Sequence, residues 1–264
     1  MALLHVDCFS EVLGRCVNID VVLPQRAAGQ IGAVGWQGQG DCPVLYLLHG
    51  MSDDHTCWQR RTSIERYVEG CGLAVVMPST DLGWYTNTCY GMRYWDFVSR
   101  ELPALCHEFF PQLSAKREDT FAAGLSMGGY GALKLGLGVP GTFAAVASLS
   151  GALDTALIGR SAISEHDKAF WEGVFGPLDR LPGSGNDLFV LAKALKESGA
   201  PLPKLYLCCG EQDPILCASR KARGVFEELG YDVAYKESPG THNWEYWDAE
   251  IQEILRWLPL RNKA

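Results

Sequence analysis

Charge is scarce in this chain of 264 residues, and positive charge scarcer still. Charged residues make up 20%, with 23 Lys+Arg against 31 Asp+Glu, a formal net charge of −8. A surface short of cations cannot neutralise phosphates, so no nucleic-acid partner is expected. Long apolar runs are missing too. None approaches the roughly 20 residues that cross a bilayer, so no membrane partner is expected either. The opening MALLHVDCFSEVLG lacks the basic and apolar regions of a signal peptide, which makes the cytoplasm the expected location. Cysteine is plentiful, at ten, but nowhere spaced as C-x-x-C. That spacing is what zinc ribbons and fingers require. A disulfide framework belongs to short, core-poor secreted chains, and a chain with 47% hydrophobic residues is not one. The cysteines therefore read as small buried hydrophobes.

What is present is a regular alternation. Residues 5–24 alternate around a Gly14-Arg15 break and predict two antiparallel strands. The stretch 27–41 is glycine-rich, but no G-K-[ST] follows it, so it reads as a connecting loop without a catalytic role. From residue 44 onward, continuous apolar runs at 44–48, 73–77, 120–125, 144–149 and 205–209 predict strands buried on both faces. Another strand is expected at 232–237. Helical periodicity falls around 61–68, 95–110, 128–137, 218–229 and 244–257. The pattern predicts an α/β fold: a mainly parallel sheet with antiparallel N-terminal strands and helices on both faces. All 264 residues read as a single domain, with residues 151–203 as a cap-like excursion. Identical subunits could pair through an edge strand or through helices. Ligands of such sheets gather at the carboxyl ends of the strands, which directs attention to the loops there.

One of those loops carries Gly124-Leu125-Ser126-Met127-Gly128, a G-x-S-x-G between a predicted strand and a predicted helix. This is the context of a nucleophile elbow, where small neighbours allow a sharp turn and the helix start favours negative charge. A serine hydroxyl needs a base. Of six histidines, His242 lies in the loop between the last strand and last helix, on the expected rim. His107 sits within a helix, His5 among the N-terminal strands, and His166 in the excursion. The third member should be a carboxylate after a strand. Asp213 fits, with Glu211 an alternative two residues nearer the strand. The order Ser126, Asp213, His242 is that of α/β-hydrolases. Donors for a developing oxyanion are expected from the N–H of Met127 and, after the 44–48 strand, from Met51 beside Gly50. His49 and His55 invite a metal, but no further ligands stand at firm spacing, so no metal site is expected and His49 reads as a brace for that loop.

The segments YLLHGMSDDHTCW, GWYTNTCYG, FAAGLSMGGYGALKLGL, GVFG, CCGEQD and GTHNWEYW resemble the tributyrin esterase/acetylesterase branch of the esterase D-like serine esterases. That family also includes S-formylglutathione hydrolases and feruloyl esterases. The resemblance spans almost the whole chain, and its block of motifs is specific. It implies an α/β-hydrolase fold, a serine carboxylesterase activity and the same triad, Ser126, Asp213 and His242. The glycine-rich stretch at 27–41 is longer than the family pattern.

Aromatic side chains crowd the predicted rim. Trp58, Trp84, Tyr85, Tyr130 and Trp171 are the candidates to line a pocket suited to a small acyl group and an aryl or sugar alcohol. The leading expectation is hydrolysis of short-chain acyl esters, acetyl to butyryl. Cys57 beside Trp58 keeps thioester hydrolysis in view, as in S-formylglutathione hydrolases. A noncatalytic hydrolase-like binding protein is the reading from another class, but all three triad residues are present. No motif calls for a nucleotide, a flavin or any other cofactor.

Overall fold

The most apolar segments of the chain form the middle of one sheet. The computed structural model describes residues 1–261 apart from positions 28, 34, 37, 39 and 161–163. Strands β1 (Ala2–Ser10) and β2 (Arg15–Leu23) make an antiparallel hairpin across the Gly14 turn. They are followed by β3 (Val44–Leu48), β4 (Ala74–Pro78), β5 (Thr120–Leu125), β6 (Ala145–Leu149), β7 (Lys204–Gly210) and β8 (Val233–Ser238). Their spatial order is β1-β2-β4-β3-β5-β6-β7-β8. β2 meets β4 antiparallel, and every later pairing is parallel. Every residue of β3, β4, β5 and β6 is buried, as a strand covered on both faces must be. The edge strand β1 instead alternates between half-buried and exposed residues.

Alternate strand residues feed two cores. Val44, Tyr46 and Leu48 face one layer, whereas Leu45 and Leu47 face the other. The second layer is built from α1 (Cys57–Arg61), α2 (Ile64–Tyr67) and the amphipathic C-terminal helix α10 (Trp244–Trp257). The first layer holds α3 (Tyr94–Asp96), which runs through a π-helical turn at Phe97–Glu101 into α4 (Leu102–Phe109). It also holds α5 (Met127–Gly138), α8 (Leu188–Ser198) and α9 (Leu216–Glu228). The expected helix at 95–110 is thus one continuous rod with a wide turn in it.

The segment 151–203 divides in two. Its first part carries α6 (Thr155–Arg160) and α7 (Glu165–Phe175). Its last part, α8, packs against α5 and α9 as a crossover helix of the sheet. Residues 161–163, within this expected excursion, lie outside the described residues. Of the glycine-rich stretch, positions 28, 34, 37 and 39 do too, and its described residues form no helix or strand.

Candidate active site

Each of the six central and C-terminal strands hands its carboxyl end to a loop on the same rim. The turn after β5 is the tightest. Ser126 has φ 52° and ψ −114°, a conformation that costs an L-residue free energy and is held only by its surroundings. Its N–H donates to the carbonyl of Leu149 on β6 at 2.9 Å. The glycines on either side explain why the turn closes. A Cβ on Gly128 would lie 2.5 Å from the Leu48 carbonyl oxygen and 2.6 Å from that of His49. Both are backbone atoms of the neighbouring strand and its loop, so they cannot swing aside. Gly128→Ala is accordingly expected to cost about 3 kcal/mol in chemical unfolding. It should also lower activity, because the displaced backbone carries Ser126; unchanged stability would contradict the close packing.

His242 reaches Ser126 from the loop after β8. Asn243 caps α10, its side chain accepting the Tyr246 N–H at 3.1 Å, which fixes the residue just before it. His242 Nε2 lies 3.0 Å from Ser126 Oγ, and Nδ1 lies 2.8 Å from Asp213 Oδ2. The imidazole stands edge-on to the Trp247 ring, with centroids 4.9 Å apart. Asp213 sits in the turn after β7, its side chain fully buried. Its second oxygen accepts the Ile215 N–H at 3.0 Å, which locks the turn. Burial works to raise the carboxyl pKa, but the hydrogen bonds from His242 and Ile215 outweigh it and hold the group below its ordinary value. Glu211, the alternative carboxylate, is exposed, and its N–H is spent on the Ser238 carbonyl.

The loop after β3 supplies the other side of the site. His49 is buried, and its Nε2 accepts the Thr80 N–H at 3.0 Å. A nitrogen that accepts carries no proton, so Nδ1–H is the donor to the Gly50 carbonyl, at 2.7 Å. Burial lowers the imidazole pKa and keeps this neutral form, although the bond to Gly50 works the other way. The Gly50 carbonyl and the Met51 N–H share one rigid peptide plane. His49 therefore sets the direction of the Met51 N–H. Met127 is the first residue of α5, where a helix leaves N–H groups without internal acceptors.

Ser126 and His242 line a cavity of about 230 Å³, whose walls include Met51, Trp84, Leu157, Ile158, Trp171 and Ile215. A larger space of about 410 Å³ lies elsewhere, around Met1 and Thr62–Arg66, with none of the three residues in its walls. Three of the expected pocket residues are corrected by their positions. Trp58 is fully buried in the opposite layer, against Trp244, with its indole N–H donating to the Leu48 carbonyl. Tyr85 is buried with its hydroxyl on the His49 carbonyl, at 2.8 Å. Tyr130 is buried behind Trp84, its hydroxyl on the Asn186 carbonyl. Each of these rings is buried in the interior, with its polar tip on a backbone carbonyl, as buried Trp and Tyr side chains require. Cys57 is buried too, and desolvation pushes its thiol pKa up, far from a reactive thiolate. Among the described residues no group of His, Cys, Asp or Glu could hold a metal ion, and no helix is long and apolar enough to cross a membrane.

Sequence reasoning missed the wall made by α6 and the start of α9: Asp154, Leu157, Ile158, Ile215 and Ala218. The available signal was their place just after β6 and β7. It also missed Lys134, the one charged residue in the apolar and glycine-rich α5.

Residues 10–258 match the Esterase family model, described as "Putative esterase". The chain belongs to this esterase family. The match covers nearly all of the sheet and every loop of the rim. An acetyl esterase of Caldicellulosiruptor saccharolyticus is 30% identical over 98% of each chain. Among solved structures, the Staphylococcus aureus fluorophosphonate-binding serine hydrolase FphF, substrate bound, superposes with a TM-score of 0.86. It is 31% identical and covers 97% of this chain and 98% of its own. The S. aureus S-formylglutathione hydrolase FrmB gives 0.84 at the same identity and coverage. The esterase is thus an esterase D-like α/β-hydrolase, a serine hydrolase by family and by fold.

Proposed function

We propose that the esterase hydrolyses short-chain carboxylic esters, acetyl to butyryl, through an acyl-enzyme on Ser126. The observation that carries this reading is the relay of 3.0 and 2.8 Å from Ser126 through His242 to Asp213, opening into a small, mostly apolar cavity. In the first half-reaction Ser126 Oγ attacks the ester carbonyl while His242 Nε2 takes its proton. The N–H groups of Met51 and Met127 receive the developing oxyanion. The intermediate collapses as His242 returns the proton to the departing alcohol. Water then enters, gives its proton to His242 and attacks the acyl carbonyl, and Ser126 leaves with that proton. Asp213 holds the imidazole tautomer throughout and stabilises its cation.

A space of about 230 Å³ between Trp84, Trp171 and Ile158 suits a chain of a few carbons. Its open rim leaves room for an aryl or sugar alcohol, as would suit a tributyrin-type or acetyl-sugar esterase. No metal or other cofactor enters these steps. The ten thiols, none of them paired, suit a cytoplasmic location. On a panel of nitrophenyl esters, kcat/KM should be highest from acetate to butyrate and fall by about tenfold or more at octanoate. Equal rates across the panel would overturn the reading.

The likeness to FrmB favours one second reading, hydrolysis of the thioester S-formylglutathione. Cys57 no longer supports it, being buried away from the cavity. A higher kcat/KM on that thioester than on acetyl esters would make it the primary activity.

A further inference from the structure

Among the described residues, a lysine lies buried behind the pocket wall with no acidic partner. Lys134, two turns into α5 from Ser126, is 3% exposed. Its ammonium donates to the Tyr85 carbonyl at 3.2 Å, Thr86 Oγ1 at 3.0 Å and Asn186 Oδ1 at 2.7 Å. All three acceptors are neutral. The faces of Trp95 and Tyr130 complete the cage, 4.8 and 5.6 Å away. Burying an ammonium among neutral groups is costly, and the desolvation pulls its pKa down to about 7. An apolar side chain would fill the same space without that cost, so the bonds it makes call for explanation.

One of them reaches a strained dipeptide, Trp84-Tyr85, and a second reaches the residue that follows it. Trp84 and Tyr85 both have positive φ, 51° and 49°, in a region that bulky residues avoid. Two such residues in a row need their conformation imposed from outside. One restraint is the Lys134 bond to the Tyr85 carbonyl. Another is the Tyr85 hydroxyl, which donates to the His49 carbonyl in the loop that carries Met51. A third is close packing, since a Cβ on Gly131 of α5 would lie 2.4 Å from the Tyr85 ring. Trp84 then points into the catalytic cavity and stacks edge-on against Trp171 of α7, at 5.0 Å. Asn186, the third acceptor, belongs to the chain just before α8, and its carbonyl accepts from Tyr130. Lys134 thus ties α5, the strained loop after β4 and the end of the excursion to one point.

We propose that Lys134 is a positioning residue that holds Trp84 as the wall limiting acyl-chain length and, through Tyr85, steadies the loop carrying Met51. The inference rests on the reading of the cavity as the acyl site of an esterase. Lys134 touches no reacting atom; it acts through the geometry of Trp84 and Tyr85. Without the ammonium the dipeptide can relax toward negative φ, which moves the indole and opens the cavity toward longer chains.

The test is the acyl-chain profile of Lys134→Met beside the unaltered enzyme. The ratio of kcat/KM for hexanoate to that for acetate should rise by about tenfold, the scale on which pocket contacts discriminate methylenes. In a Trp84→Ala background the same substitution should leave the ratio unchanged, because the wall it positions is gone. A merely structural lysine would lower all rates together and leave the ratio alone. That result, or equal shifts in both backgrounds, overturns the proposal. If Lys134→Met does not fold, Thr86→Val removes one acceptor at constant shape. It should shift the ratio in the same direction by a smaller factor, and an unshifted ratio overturns the proposal. Inactivity of the unaltered enzyme on every ester would instead overturn the esterase reading itself.

Discussion

Ser126→Ala is expected to lower kcat on nitrophenyl acetate by about 10⁶-fold and to abolish fluorophosphonate labelling. The magnitude follows from the loss of the nucleophile in a site whose other parts remain. His242 keeps its bond to Asp213, and the N–H groups of Met51 and Met127 stay in place. A residual rate about 10³-fold over water should remain, from those donors together with substrate binding. Stability should move in the opposite sense to activity in a companion variant. Ser126 holds φ at 52°, which glycine adopts without penalty. Ser126→Gly should therefore be equally inactive yet about 1 kcal/mol more stable, a rise in Tm of about 2–4 °C for a chain of this size. Calorimetry and a progress curve on the two variants measure both effects. Substantial activity in either variant would show that the hydroxyl is not the nucleophile.

Asp213→Asn is expected to reduce kcat by about 10⁴-fold while the protein stays folded. The Ile215 N–H keeps its acceptor, since the amide retains the oxygen that receives it. What changes is the partner of His242 Nδ1. A carboxylate accepts the Nδ1 proton and leaves Nε2 free to take one from Ser126; an amide presenting its NH₂ group reverses the tautomer. Glu211→Gln is the control, because that side chain is exposed and should have little effect on the rate. The pH dependence of stability offers a second readout. The folded carboxyl is held below its unfolded value, so its stabilising contribution is present above the unfolded pKa and fades as pH falls through the folded one. The Asn variant should lose that acid-side dependence. A kcat within tenfold of the unaltered enzyme would remove Asp213 from the relay.

Three features of the rim show why some residues were legible and others not. Ser126 announced itself because an elbow needs glycines at fixed offsets, and a local steric rule leaves a local sequence trace. His242 and Asp213 followed because parallel strands deliver their carboxyl ends to one edge, so their loops had to meet there. The aromatics obeyed no such rule. Trp58 and Trp84 are the same residue type beside neighbouring loops, yet one fills the layer under α10 and the other faces the cavity. Which surface a side chain covers depends on the helix that arrives over it, and that helix comes from a distant part of the chain.

The sequence by itself determined the alternating strands and helices, the order of the catalytic candidates and the place of the elbow. Periodicity, glycine spacing and chain order are properties of neighbouring residues. Only the tertiary structure decided the cavity walls from α6 and α9, the neutral tautomer of His49, and the burial of Lys134 against Tyr85, Thr86 and Asn186. Those features depend on contacts between residues tens of positions apart, where packing and desolvation set the outcome. The Lys134 to Asn186 bond closes across 52 residues, and no local pattern specifies it.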